Sequence, residues 1–315
     1  MKWRSMSARR AAAALLVFAL AFIFLAGCAD AQKPFVVVYT SQDQVYAEPI
    51  LKEFTEKFGV EVRAVYDSEA VKTVGLVNRL IAEKNNPQCD VFWNNEEFRT
   101  RQLEQLGVLR EDKPWAAFGF RRRCLVVHAS QRGRFASPQT LSALTNAALS
   151  GKIAVAYPLF GSTSTHFLAL RQHWGEERWQ QWCRDLLANK PFIVDGNSVV
   201  VKLVASGEAW VGLTDTDDVA AALREGLPVV AVPLSEDGLV IPNTIGWVRG
   251  SRRVPAAEAL AEFLQSSAVV ERLIAAGALV GQKPEGAGQG IVVNWDDLLR
   301  DHAAAMSQLK ALFLR

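Results

Sequence analysis

Three aspartates crowd into four positions at Asp215-Thr216-Asp217-Asp218. Carboxylates at that density serve one of two ends. They cap a helix, an Asp at the N-cap and acids in the first turn each stabilising it by about 0.3–1 kcal/mol. Or they hold a cation, because such hard oxygen donors suit Ca²⁺, Mg²⁺ or Mn²⁺. One or two acids satisfy a cap, so a third is available to point into a cleft. If Asp43 and Glu96 converge on the same place, the carboxylates repel unless a cation is bound or their pKa values rise. The stretch Gly161-Ser162-Thr163-Ser164-Thr165 offers the opposite chemistry. Successive N–H groups and hydroxyls at a helix start form an anion site, with an ordinary Ser/Thr cap as the simpler reading.

The tyrosines are placed suggestively. Tyr39, Tyr66 and Tyr157 end strand-like runs and Tyr46 follows the first of them, a pattern that gathers rings in a cleft. Tyr66 or Tyr157 could supply a phenolate or stack on an organic ligand. The four histidines (His128, His166, His173, His302) are scattered and read as surface or packing residues. No Gly-x-Ser-x-Gly, P-loop lysine or His-Glu-x-x-His pattern is present, which leaves a metal-dependent phosphohydrolase as a remote alternative.

These residues hang on an alternating frame. Phe35–Tyr39 is a β-branched run that predicts a buried strand. A helix is expected to open near Glu48, with Pro49 in its first turn, and to stop at Gly59. Val60–Tyr66 then predicts a strand, 69–84 a helix, Asp90–Trp93 a strand and 97–106 a helix. This β-α-β-α-β-α order predicts a doubly wound parallel sheet, whose ligands bind at the carboxyl ends of the strands. Thr40, Ser41, Tyr66, Asn95 and Glu96 lie at or just beyond such ends. The second part repeats the logic. Strands are expected at Leu125–Val127, Ile153–Ala156, Phe192–Val194, Trp210–Thr214 and Val229–Val232. Helices are expected from Gly161 to His173 and at 199–206 and 218–226. Ile241–Val248 is extended around Asn243, and helices near 255–266, 268–276 and beyond Asp296 close the chain.

Composition narrows the class. The 315 residues are 50% hydrophobic and 22% charged, a globular balance of a size that suggests two domains. Four bases (Lys2, Arg4, Arg9, Arg10) sit in an N-terminal leader without acids. Its removal leaves 31 Lys and Arg against 33 Asp and Glu, no electrostatic footprint for nucleic acid. Arg121-Arg122-Arg123, the one basic run, reads as a solvated edge. The leader itself has a positive start and an uncharged apolar run from Ala11 to Leu25, a secretory pattern. Leu25-Ala26-Gly27-Cys28 resembles the lipobox of bacterial lipoproteins, which implies cleavage before Cys28 and lipidation of its sulfur. Buried acyl chains anchor by roughly 0.8 kcal/mol per CH₂. Cys89, Cys124 and Cys183 are then an odd set, no disulfide framework, and without a CxxC motif they offer no zinc site.

The order and wording of the chain resemble the solute-binding proteins of bacterial ABC importers, in the branch that contains the ferric-ion-binding proteins. The resemblance rests on Val38-Tyr39-Thr40-Ser41-Gln42-Asp43, Glu48-Pro49-Ile50-Leu51, Phe54 through Gly59, Asp90-Val91-Phe92-Trp93, Asn197-Ser198-Val199 and Gly207-Glu208. With the closing amphipathic helices, these span roughly residues 34–280. It implies an α/β, type II periplasmic-binding-protein-like fold, two doubly wound lobes around a hinged cleft. The expected organisation is a signal peptide at 1–27, a tether at 28–33, one lobe from 34–121 plus 240–315, and a second from 122–239. The resemblance further implies a metal ion, ferric iron by family, as transported ligand rather than catalytic cofactor. Its expected ligands are Asp43, Glu96, Asn197, Asp215, Asp217 and Asp218. Asp217 and Asp218 stand where that family has adjacent tyrosines. An accompanying anion is expected at Gly161, Ser162 and Thr163, and Thr40, Ser41, Tyr66, Asn95, Tyr157 and Asn243 are expected around the cleft. The alternative cargo is an organic or inorganic anion such as a phosphonate, sulfate or thiamine phosphate. The expected setting is the periplasm or cell envelope, as a lipid-anchored monomer that serves an ABC permease.

Overall fold

Val36, Val38 and Tyr39 of the first strand, β1 (Phe35–Thr40), are wholly buried, as its β-branched run requires. The computed structural model describes residues 33–67, 74–135, 139–283 and 290–314. The leader 1–27, Cys28 and the tether to residue 32 lie outside the described residues. So do the first turn expected of the helix at 69–84 and residues 136–138 and 284–289.

The first half follows the expected order: β1, α1 (Gln44–Phe58), β2 (Glu61–Tyr66), α2 (Val74–Ala82), β3 (Val91–Asn94) and α3 (Glu97–Gln105). β1 lies parallel to β2 on one side and β3 on the other. One boundary differs. α1 begins at Gln44 rather than near Glu48, because burial of Tyr46 and Ala47 extends its apolar stripe one turn upstream. Pro49 therefore sits inside the helix, on its exposed side.

β4 (Trp115–His128) is far longer than the Leu125–Val127 core expected of it. Over 115–122 it pairs antiparallel with β9 (Val240–Trp247), and β9 pairs with β3. Over 123–128 it pairs with β7 (Val211–Asp215) and β8 (Val229–Pro233). Strands β5 (Ile153–Ala156) and β6 (Phe192–Val194) complete the second half, parallel to β7 and to each other. The order is β2-β1-β3-β9-β4-β7-β5-β6, with β8 beside β4. A register shift between Phe118 and Phe120 marks where β4 bends. Gly119 occupies it at φ 60°, a conformation that costs a side-chain-bearing residue free energy.

Helices cover both halves. In the first, α1, α8 (Val254–Gln265) and α9 (Ser267–Ala275) pack around Val36, Val38 and Phe54, and α2 and α3 cover the other face. In the second, α4 (Gly161–Trp174) and α5 (Glu176–Ala188) enclose Leu125, Val155 and Leu213. α6 (Asn197–Ala205) and α7 (Thr216–Arg224) cover the reverse face through Val200, Val204 and Val219. The last helix, α10 (Trp295–Phe313), falls in the stretch grouped with the first lobe on sequence. It packs on α4 of the second half, Phe313 ringing Phe167 at 5.8 Å. It also touches α3 through His302 and Phe98, 4.9 Å apart. Among the described residues no helix is long and apolar enough to cross a membrane.

Gly119→Ala tests the bend in β4. A Cβ there would approach Leu279 Cδ1 to 2.3 Å, so the substitution adds a clash to an unfavourable φ. A loss of about 1–3 kcal/mol in urea denaturation is expected.

Candidate functional site

Four helices start at one cavity. Its wall includes Asp43 at the N-cap of α1, Gly161, Ser162 and Thr163 of α4, Gly196 and Asn197 of α6, and Asp215, Asp217 and Asp218 of α7. No N-cap residue of the four makes a side-chain cap bond to its helix. Each helix start carries a partial positive charge of roughly half an elementary unit, so the wall sets acids beside four positive helix ends. Asn95, Arg121, Ala156, Tyr157, Phe160 and Asp195 complete the wall around about 40 Å³ of space. That is room for an ion with a water or two, since a water needs about 10–15 Å³ of such space.

Capping does not explain Asp215. Asp215 occupies the N-cap position of α7, yet its carboxylate turns away into a buried network. Oδ1 accepts from Arg123 Nη1 at 2.6 Å; Oδ2 accepts from Ser162 Oγ at 2.6 Å and lies 3.2 Å from Arg121 Nη2. Arg121 Nη1 also donates to Asp217 Oδ2 at 2.8 Å. Asp218 accepts from Thr214 Oγ1 at 3.2 Å. Asn197 ties α6 in: its Nδ2 donates to Ser162 Oγ and Asp215, and its Oδ1 accepts from Thr163 Oγ1. Oxygens of Asp215, Asp217 and Asp218 lie within 4.8 Å of one another.

The two guanidiniums correct the reading of Arg121-Arg122-Arg123 as a solvated edge. Arg121 and Arg123 are 4% and 1% exposed, and only Arg122 between them faces outward. The signal was the period of two. On a strand, alternate residues share a face, and this run lies between buried Phe120 and Cys124. Burial disfavours the Arg121 charge, but Asp217, Asp215, Asp218 and Asp43 outweigh it and raise its pKa. Burial likewise pushes the Asp215 carboxyl up, but Arg123, Arg121 and Ser162 hold it below its usual value. The five aspartates on the wall exceed the two arginines by three charges, so the cavity carries negative charge.

His166, read on sequence as surface or packing, is fully buried on α4. Its Nδ1 accepts from Arg123 Nε at 3.3 Å and its Nε2 donates to the Asp237 carbonyl at 2.7 Å. Both bonds require the neutral ring with its proton on Nε2. Burial, with Arg123 adding to it, depresses its pKa to about 3.

Of the expected residues, Asp43, Asn95, Tyr157, Gly161, Ser162, Thr163, Asn197, Asp215, Asp217 and Asp218 meet on the cavity wall. Glu96 does not. It caps α3, accepting from the Phe98 and Arg99 amides at 2.8 and 3.1 Å and from Thr165 Oγ1 at 3.2 Å, and those bonds use both oxygens. Tyr66 faces a separate groove beside Leu51, Lys52 and Val62. Thr40, Ser41 and Asn243 stand one layer behind: Ser41 Oγ lies 3.0 Å from Asn95 Oδ1, Thr40 Oγ1 accepts from the Gln42 amide, and Asn243 donates to Gln42. The tyrosines do not gather either. Tyr39 donates to Glu83 on the far face, and Tyr157 alone lines the cavity. Arg121, Phe160 and Asp195 were missed on sequence.

The family described as bacterial extracellular solute-binding protein matches this chain over residues 36–278. The chain belongs to that family. An uncharacterised Haemophilus influenzae protein is 25% identical over 279 residues, 80% of this chain and 78% of its own. Iron-bound HitA from Pseudomonas aeruginosa has the same fold (TM-score 0.76, 18% identity, 89% of this chain and 99% of HitA). So has AfuA from Actinobacillus pleuropneumoniae, solved with fructose-6-phosphate (TM-score 0.75, 18% identity, 90% and 99%). The solute-binding protein thus has the α/β fold with two lobes expected of it, its acidic cavity lined from both.

A histidine held neutral when folded, but free to protonate near pH 6.5 when unfolded, stabilises fully above about 6.5. That contribution drains away as pH falls toward 3. His166→Gln should therefore lower stability at pH 7.5 and flatten its decline between pH 6.5 and 4, read by denaturant melts across that range.

Proposed function

We propose that this solute-binding protein captures a hard, oxygen-preferring metal cation between its lobes and delivers it to an ABC permease. Ferric iron is the cargo that the family resemblance implies. The observation that carries the reading is the convergence of Asp215, Asp217 and Asp218 oxygens within 4.8 Å on a cavity of about 40 Å³. Asp43 faces them from the other half. Arg121 and Arg123 hold Asp215 in place, and Asp43, Asp217 and Asp218, which line the cavity with it, are the donors we assign to the ion. Carboxylates suit divalent ions as well as Fe³⁺, and the site's excess of three negative charges supports either. The α4 start, with Ser162 and Thr163, would hold an accompanying anion through its amides. Anchoring through Cys28 would keep the protein at the membrane beside its permease.

One observation favours a second reading. Arg121 and the uncapped start of α4 border the same cavity, a pairing that also suits a phosphorylated solute. Against it stand the acids. Thermal melts with Fe³⁺ (as citrate), Mn²⁺, Ca²⁺, inorganic phosphate and fructose-6-phosphate separate the two. A cation is expected to raise the melting temperature of the wild type and to have no effect on Asp43→Asn/Asp218→Asn. Glu96→Gln should melt lower yet keep the cation response. Stabilisation by fructose-6-phosphate with none by any metal would overturn the cation reading.

A further inference from the structure

α7 runs from its acidic start at the cavity to Arg224, whose side chain reaches the first half. Arg224 Nη2 donates to Tyr46 Oη of α1 at 2.5 Å, and Nη1 donates to the carbonyl of Ala276, the C-cap of α9. The guanidinium also lies 5.4 Å from the centre of the Tyr46 ring. Both partners belong to the first half, whereas α7 belongs to the second. The chemistry is well matched. A helix C-terminus carries partial negative charge, and arginine satisfies its last carbonyls. Tyr46 is 6% exposed, so its hydroxyl is held by a ring fixed in the first core.

A second, independent feature lies beside it. Gly277 has φ 77°, and a Cβ there would come within 2.6 Å of Arg224 Nη1 and 2.7 Å of Ala220 Cβ. Only glycine lets α7 seat this closely against the end of α9. A space of about 160 Å³, walled by Val45, Tyr46, Asp217, Asp218 and Ala221 among others, runs from the acidic cluster toward this contact. The two lobes therefore meet along α7 at a contact made of one arginine and three small or fixed neighbours.

We propose that Arg224 is a positioning residue that latches the cleft shut and slows release of whatever the cleft holds. It touches no ligand donor and acts by keeping Tyr46 and Ala276 against α7. The proposal is independent of cargo identity, because the latch contacts form without it.

Hydrogen–deuterium exchange of the full chain without added ligand tests this. Arg224→Ala is expected to raise exchange about three- to fivefold in peptides covering 161–166 and 195–199. Arg224 does not touch these cavity segments. Peptides from β1 and β5 should not change. Arg224→Lys, with one ammonium in place of two Nη donors, should restore the protection only in part, and Tyr46→Phe, which keeps the ring, should reproduce the loss in part. Unchanged exchange at 161–166 and 195–199 in both Arg224→Ala and Tyr46→Phe would overturn the latch. A rise of equal size in β1 and β5 would do so too, because it reports general loosening.

Discussion

Two buried arginines facing two buried aspartates are the constraint on which the site depends. Arg123 and Asp215 are direct partners in the β4–β7 register, and Arg121 reaches both Asp215 and Asp217 from the same face of β4. Taking such charges out of water costs several kcal/mol per ion, and only close pairing with further hydrogen bonds offsets it. Ser162, Asn197 and His166 supply those bonds. The network therefore ties β4, β7 and the starts of α4, α6 and α7 to one geometry. Removing one guanidinium would leave buried Asp215 short of one of its two charge partners, at a cost of up to about 3–5 kcal/mol.

The same pairing decides what the cavity can offer a ligand. Three adjacent aspartates free in solution would be a strongly repelling set. Here the arginines and four helix starts absorb much of that field, and the remaining negative charge is carried by groups nearer the opening, Asp43, Asp195 and Asp218. A site so balanced can exist without cargo and, on the function proposed above, still attract a cation. The division of labour is spatial. Inner acids set the frame and outer acids line the opening, with the second lobe supplying most of the wall and Asp43 and Asn95 arriving from the first.

Much of this was legible in the residues. The β-branched runs, the helical stripes and the polar strand ends gave the alternation of elements, and the residues singled out by type at the α7 and α4 starts meet on one cavity wall. What failed did so for physical reasons. Glu96 and Asn95 are neighbours at a strand end, and which one faces the cleft depends on which caps α3, a choice made by tertiary contact with Thr165. The tyrosines end strands whose faces point to different layers, so sharing a strand end did not bring them together. Arg121 and Arg123 were misread because charge was weighed without the strand period, which places both on the buried face. The long β4 was underestimated because arginines interrupt its apolar run, although Arg121 and Arg123 are nearly as buried as the valines beyond them. α10 could not be assigned by order along the chain, since a helix that touches both halves is placed by packing.

Anomalous diffraction from crystals grown with Mn²⁺ or Fe³⁺ examines the central claim most directly. The account predicts one strong peak within coordination distance of Asp43, Asp217 and Asp218 carboxylate oxygens, with Arg121 and Arg123 still bound to Asp215. A cavity free of anomalous signal, with an organic phosphate or other anion seated against Arg121 and the start of α4, would contradict it.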